Sequence, residues 1–250
     1  MRSRCSSSAA LAAAVAVVAG CGGGSRPSAF PDPSGPLDVH MTQLAQNAGA
    51  MLEGVTFRGA GGKVVRALIA STRRSGRHPA VIFLTGSGGS LTDFLASDVR
   101  FAKSGGVGMS IQQPPNATTF APLVENVRRA LDVLVSRSDV DPRRLGIAGL
   151  SLGAETAAIV GGVDPRPGVF GLMSCRGSSI VLRYLRLARG SFFVQDGLLD
   201  LVVPHRELKR TIDAIHGGRR VVWYPDGHTL DPKAFASQLA WLQSELHTAE

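Results

Sequence analysis

Residues 145–155 read Leu145-Gly146-Ile147-Ala148-Gly149-Leu150-Ser151-Leu152-Gly153-Ala154-Glu155. The first four are small or apolar, as in a strand buried on both faces of a sheet. From Ala154 to Val160 the residues favour a helix. Between the two stands Gly-x-Ser-x-Gly. A serine on a sharp turn from a buried strand into a helix has its hydroxyl exposed, and the helix aims its N-terminal amides at the same place. Gly149 and Gly153 have no Cβ, so strand and helix can close around so tight a turn. A phosphate cradle is the competing use of such a turn. It needs a lysine followed by Ser or Thr, or a third spaced glycine, and neither is present.

Outward from this turn the same predominantly apolar pattern recurs at 80–84, 107–111, 169–173, 192–194 and 221–223. Helical stretches are expected over 91–103, 121–137, 152–160, 180–188, 206–215 and 234–246. The clearest is 121–137, where Leu123, Val127, Ala130, Leu131 and Leu134 form one stripe and Arg128, Arg129 and Asp132 fall outside it. Alternating strands and helices predict an α/β domain, a mostly parallel sheet with helices on both faces. Ahead of them, 55–57 and 63–70 flank Gly59-Ala60-Gly61-Gly62 as a β-hairpin, and 37–52 has weak helical character. There is no internal repeat and no sign of a second folded domain.

Composition agrees. A chain of 250 residues with 44% hydrophobic and 18% charged side chains can bury a core, which excludes a disordered polymer. The formal net charge is +8, with scattered basic residues. No zinc-finger spacing, aromatic RNA-binding run or basic zipper helix accompanies that charge, so nucleic acid is not an expected partner. Three cysteines are too few for a disulfide scaffold, and they lack metal-finger spacing. Lone Cys175 is expected to pack as a small hydrophobe.

The N-terminus carries an address. Arg2 and Arg4 precede an apolar stretch over 9–19, too short for a stable transmembrane helix. Val18-Ala19-Gly20-Cys21 follows, then Gly22-Gly23-Gly24-Ser25. This resembles the bacterial lipoprotein signal, in which a cysteine after small residues is lipidated and becomes the new N-terminus. The resemblance implies a signal peptide over 1–20, lipidation at Cys21 and a protein exported and held on the cell membrane. An ordinary signal peptide with a chance cysteine is the alternative. Residues 21–36 are expected to form a flexible Gly/Ser/Pro tether, and 37–250 the catalytic domain.

A serine hydroxyl is a weak nucleophile and needs a base, usually a histidine oriented by a carboxylate. On a sheet of this kind the chain order is serine, acid, histidine. After the 192–194 strand come Asp196 and Asp200. Asp200 lies further into the loop, where it can reach across to a base, and Asp196 is its rival. Four histidines follow: His205, His216, His228 and His247. His228 comes after the 221–223 strand and the turn Pro225-Asp226-Gly227, so it too lies beyond a strand's carboxyl end. The oxyanion of acyl transfer needs backbone donors. One is expected from Leu152. The other is expected from the loop Thr85-Gly86-Ser87-Gly88-Gly89-Ser90, at Ser87, with Gly88 as second candidate.

These residues resemble the α/β-hydrolase superfamily, and within it the dienelactone-hydrolase-like and acyl-thioesterase-like branch. The matching points are the 86–89 loop, Gly149–Gly153, Gly197-x-x-Asp200-x-x-Val203-Pro204 and Gly227-His228, over most of the chain from Val55 onward. The resemblance implies about eight mostly parallel strands, a Ser151–His228–Asp200 triad, no metal and no organic cofactor. Thr85 departs from it, since many relatives have histidine there. The short 173–191 segment leaves no room for a large lid. Its Arg183, Arg186 and Arg189 mark either an amphipathic helix on the sheet or a small cap.

The expectation is a membrane-anchored serine hydrolase cleaving a small-molecule carboxylic ester or thioester through an acyl-enzyme. A serine peptidase of the same fold, and a non-catalytic ligand-binding lipoprotein, are the alternatives.

Overall fold

The computed structural model describes residues 29–248 except 48, 115 and 116. The expected signal peptide over 1–20 and Cys21 lie outside the described residues. The elements in chain order are β1 (His40–Asn47), β2 (Ala50–Arg58), β3 (Val64–Thr72), β4 (His78–Leu84), α1 (Leu95–Lys103), β5 (Val107–Ile111), α2 (Ala121–Ser136), β6 (Val140–Leu150), α3 (Leu152–Val163), β7 (Val169–Met173), α4 (Ser179–Leu185), β8 (Ser191–Gly197), α5 (His205–Ala214), β9 (Gly218–Tyr224) and α6 (Pro232–Glu245).

All nine strands join one sheet in the order β1-β2-β3-β5-β4-β6-β7-β8-β9. The three pairings from β1 to β5 are antiparallel, and the rest, from β5 to β9, are parallel. Most of the apolar runs are central strands, and every residue of β4, β5 and β7 is buried; the run at 221–223 instead falls in β9, the half-exposed strand at the sheet edge. Helices cover both faces, as the alternation requires. Residues of α2, α3 and α4 pack on one face in the larger core, and α1 and α6 pack on the other with Phe83, Phe101, Phe193, Trp241 and Leu242. No helix among the described residues is long and apolar enough to cross a membrane.

Three expectations change. The sheet has nine strands, not about eight. The weak helix at 37–52 is instead the β1–β2 hairpin, closed at Gly49 with φ +95°. Met41 and Leu44 are exposed on this edge strand, so no buried stripe marked it; pairing with β2 decides its conformation. The helix expected from residue 91 begins at Leu95, because the Asp93 carboxylate accepts from the Ser90 amide and holds 90–93 as a turn.

Arg128 and Arg129, off the apolar stripe of α2, are nevertheless buried. They hold the end of the segment expected as a tether. Arg128 donates to the Pro31 carbonyl at 2.8 Å and pairs with Asp32 and Asp164. Arg129 donates to the carbonyls of Gly35 at 3.1 Å, Pro36 at 2.6 Å and Arg58 at 3.0 Å. Phe30 is buried against Tyr184 of α4, with ring centroids 5.1 Å apart. Carbonyls that irregular backbone would leave unpaired under the surface are thereby satisfied.

On the opposite face of the sheet, Asp98 of α1 is fully buried and accepts a 2.6 Å hydrogen bond from Ser110 Oγ of β5. Burial pushes its pKa up to about 8, with the Ser110 bond pulling the other way. The folded protein therefore keeps a proton that the unfolded chain releases above about pH 4, so this group makes stability fall as pH rises from about 4 to about 8. Asp98→Asn, which keeps the shape of the neutral acid, is expected to flatten that decline. Urea unfolding near both ends of the interval measures it, and an unchanged slope would show that Asp98 does not titrate there.

Candidate active site

The turn after β6 holds Ser151 at φ 53°, ψ −118°, a conformation unfavourable for any residue with a Cβ. Its amide donates to the Met173 carbonyl of β7 at 2.9 Å, and its carbonyl accepts from the Glu155 amide inside α3. The two glycines are required by contact. A Cβ on Gly149 would lie 2.5 Å from the Gly153 carbonyl carbon, and one on Gly153 would lie 2.2 Å from the Leu84 carbonyl oxygen at the end of β4. The absence of side chains at these points lets β4, β6 and α3 meet behind the serine.

His228 Nε2 is 2.9 Å from Ser151 Oγ, and His228 Nδ1 is 2.8 Å from Asp200 Oδ2. Three residues 77 and 28 positions apart along the chain are thus joined in one line. With the imidazole neutral, Nδ1–H donates to the carboxylate and Nε2 accepts from the hydroxyl. The Asp200 side chain is fully buried, and its second oxygen accepts from the amides of Val202 at 2.8 Å and Val203 at 2.9 Å. The loop bearing it is fixed against the loop bearing His228. The Leu198 amide donates to the Tyr224 carbonyl and the Leu199 amide to that of Asp226. A Cβ on Gly197 would lie 2.2 Å from the Gly227 carbonyl oxygen, so only glycine permits this approach. Ser174 Oγ donates to the His228 carbonyl at 2.8 Å, from a residue itself at φ 48°.

Asp196, the rival acid, does not reach the imidazole. It is wholly buried at the end of β8, and burial together with the neighbouring Asp200 charge pushes its pKa up to about 7. The amides of Ser174 and Cys175 approach its oxygens without a well-aligned hydrogen bond and only partly offset that cost. The other histidines lie elsewhere: His205 packs on Trp223 with centroids 4.4 Å apart, and His216 and His247 are exposed. Cys175 is buried, and burial with Glu155 and Asp196 nearby pushes its thiol pKa well up, which suits an inert packed side chain.

The glycine loop after β4 turns at Gly88, φ +73°, with the Gly89 amide donating to the Gly86 carbonyl at 3.1 Å. A positive φ at the third of four residues is the type II arrangement that favours glycine there. A Cβ built on Gly86 would lie 3.5 Å from Ser151 Cβ, so the loop runs directly past the serine. Gly86, Ser87, Gly88 and Leu152 line one cavity of about 230 Å³. The amides of Ser87, Gly88 and Leu152 donate to no acceptor among the described residues. Leu152 opens α3, where an unpaired amide is the rule.

Gln112, Gln113, Pro114 and Ala117 also line this cavity, and all four extend into a larger one of about 710 Å³ that continues to Lys63, just before β3, and Arg66 on β3. Gln113 is buried, yet neither atom of its amide has a hydrogen-bond partner among the described residues. The sequence carried no signal for it, because its burial depends on how the segment after β5 folds over the glycine loop. Among the described residues no group of three or more His, Cys, Asp or Glu is placed to hold a metal ion.

No protein-family model matches the chain, and no curated protein matches it. Solved structures do. An acetyl xylan esterase from Paenibacillus sp. R4 is 16% identical, superposes with a TM-score of 0.71, and is matched over 84% of this chain and 90% of its own. A cold-adapted esterase from an Arctic intertidal metagenomic library is 15% identical with a TM-score of 0.72, over 82% of this chain and 99% of its own. A puromycin-hydrolyzing peptidase of Mycobacterium tuberculosis is 17% identical with a TM-score of 0.66, over 81% of this chain and 40% of its own. With the strand order and helix placement above, these likenesses establish the α/β-hydrolase fold.

Proposed function

We propose that the chain is a serine hydrolase of small-molecule carboxylic esters, with thioesters as the other acyl substrates its chemistry admits. The observation that carries this reading is the hydrogen-bonded line Ser151–His228–Asp200 at a turn with unpaired amides beside it. His228 Nε2 takes the Ser151 proton as Oγ attacks the acyl carbon. The oxyanion then forms where the Leu152 and Ser87 amides can hold it, with Gly88 as the neighbouring donor. These donors have no acceptor among the described residues, so stabilising the new charge breaks no hydrogen bond seen there. His228 returns the proton to the leaving alcohol or thiol, and the bond between acyl carbon and leaving atom breaks. Water, deprotonated by the same nitrogen, releases the acid. Asp200 keeps the imidazole in the right tautomer and balances its positive charge.

Two of the structural neighbours are esterases by name, which favours esters over peptides. Turnover of p-nitrophenyl esters of graded acyl length, alongside acyl thioesters, tests the reading. Absence of turnover on every one of them would contradict it.

The two joined cavities give space for the rest of the substrate, with Gln113 in their shared wall. Gln113 presents a donor and an acceptor that lack partners among the described residues, so a hydroxyl or amide on the substrate has somewhere to bind. Gln113→Leu is expected to raise KM about tenfold for esters bearing such a group, while p-nitrophenyl acetate turnover changes little. The variant is also expected to be about 1 kcal/mol more stable, because unpaired buried polar atoms are removed. Equal KM effects on both substrates would separate Gln113 from substrate binding.

We also propose, from the sequence around Cys21, that the protein is exported and anchored by lipid on that cysteine. Buried acyl chains contribute about 0.8 kcal/mol per CH₂ to such an anchor. Loss of membrane fractionation and of acyl labelling in a Cys21→Ala variant is the expected result, and unchanged fractionation would contradict it.

A further inference from the structure

The loop that carries the buried Asp200 carboxylate turns its apolar side chains outward. Leu198 is 52% exposed, Leu199 65%, Leu201 97% and Val202 54%. No other stretch of the described residues exposes so many large hydrophobic side chains in succession. They cannot fold inward without loss, because the backbone is held from both sides. The amides of Leu198 and Leu199 donate to Tyr224 and Asp226, and those of Val202 and Val203 donate to Asp200. A contiguous apolar patch beside a cleft marks an interaction surface.

The loop runs directly into α5, whose Arg206, Lys209 and Arg210 are exposed and in no ion pair among the described residues. Helix α4 packs on α5 and adds exposed Arg183, and Arg186 follows at its end, likewise without ion pairs among the described residues. Of the carboxylates near the loop, Glu207 is engaged by Arg176 at 3.7 Å, Asp213 lies near the far end of α5, and Asp226 and Asp231 accept backbone amides. The leading segment meets the domain here as well, with Phe30 packed on Tyr184 of α4.

We propose that the loop over 198–202, with the basic faces of α5 and α4, docks on the surface of an anionic phospholipid bilayer. Apolar side chains enter the boundary between headgroups and acyl chains, and the cations meet the phosphates. A second copy of this chain fits less well. A symmetric contact through this face would set its cations against each other. Docking would bring the rim of the Ser151 cleft to the lipid surface, but it requires neither the proposed chemistry at Ser151 nor the proposed lipid at Cys21.

The test reads the loop itself. In the full chain, Leu201→Trp adds a fluorophore at the most exposed position, read as the difference from wild type, which contains Trp223 and Trp241. Vesicles of phosphatidylcholine with phosphatidylglycerol are expected to shift its emission to the blue, whereas phosphatidylcholine alone leaves it unchanged. The shift should shrink in an Arg206→Ser/Lys209→Ser background and at high salt. Vesicle-bound protein with no shift at position 201 would mean that another part of the chain holds the membrane, and would overturn the proposal. A blue shift without vesicles that grows with protein concentration would overturn it too, by placing a second copy on the loop. Unshifted emission from protein that stays unbound would overturn it as well.

Discussion

Ser151→Ala is expected to lower kcat/KM toward short esters by about 10³- to 10⁶-fold, the range seen when a triad nucleophile is removed. Alanine keeps the Cβ and the backbone geometry, so folding should be unaffected and the loss should lie in kcat. The loss is large because Oγ forms the covalent bond, and no neighbouring side chain can replace it. Cys175, the one free thiol among the described residues, is buried with its pKa pushed well up, so it cannot serve as a substitute nucleophile. A companion variant separates strain from chemistry. Ser151→Gly removes the same hydroxyl and also relieves the Cβ at φ 53°. Relief is worth about 1–3 kcal/mol and the added chain entropy of glycine offsets about 0.5–1 of it, so the glycine variant should be inactive but more stable. Esterase activity in Ser151→Ala within a fewfold of wild type would place the nucleophile elsewhere.

Gly153→Ala is expected to destabilise the fold by about 3 kcal/mol, the upper end for forcing a methyl group into a packed site. Its Cβ would lie 2.2 Å from the Leu84 carbonyl oxygen and 2.7 Å from both the Leu84 carbonyl carbon and the Thr85 carbonyl oxygen. These are backbone atoms of a buried strand and its exit, so no side-chain rotation relieves the contact. For a domain of this size the thermal midpoint should fall by about 6–12 °C. Gly168→Ala is the control, since a Cβ there meets nothing within 4 Å, and it should be nearly neutral. Equal midpoints for the two variants would contradict the close approach of β4, β6 and α3 behind the serine.

The central parallel strands are legible in the sequence because β4, β5 and β7 are buried on both faces and read as largely apolar runs, whereas the edge strand β9 is legible from Val221-Val222-Trp223 although it is only half-buried. The Gly-x-Ser-x-Gly turn marks where the chain reverses, and the order of Ser151, Asp200 and His228 picks out the three side chains that the structure joins by hydrogen bonds. The nearness of Asp196 to the strand end ranks it behind Asp200, and it does stay buried within β8, away from the imidazole. The first hairpin does not read as one because β1 is an exposed edge strand whose conformation comes from pairing with β2. Arg128 and Arg129 look like a solvated helix face. Their burial depends on carbonyls of residues 31–36, about a hundred positions away, which no local pattern encodes. Gln113 is invisible for a similar reason, since its environment is assembled from β3, the glycine loop and the segment after β5.

The most direct test of the catalytic assignment treats the full chain with a fluorophosphonate and maps the adduct by peptide mass spectrometry. Such a reagent phosphonylates a serine only when a base removes its proton and donors hold the phosphoryl oxygen. A single adduct on Ser151 is expected, lost in His228→Ala and strongly slowed in Asp200→Asn. An adduct on another residue, or labelling of Ser151 that proceeds equally well without His228, would contradict the assignment.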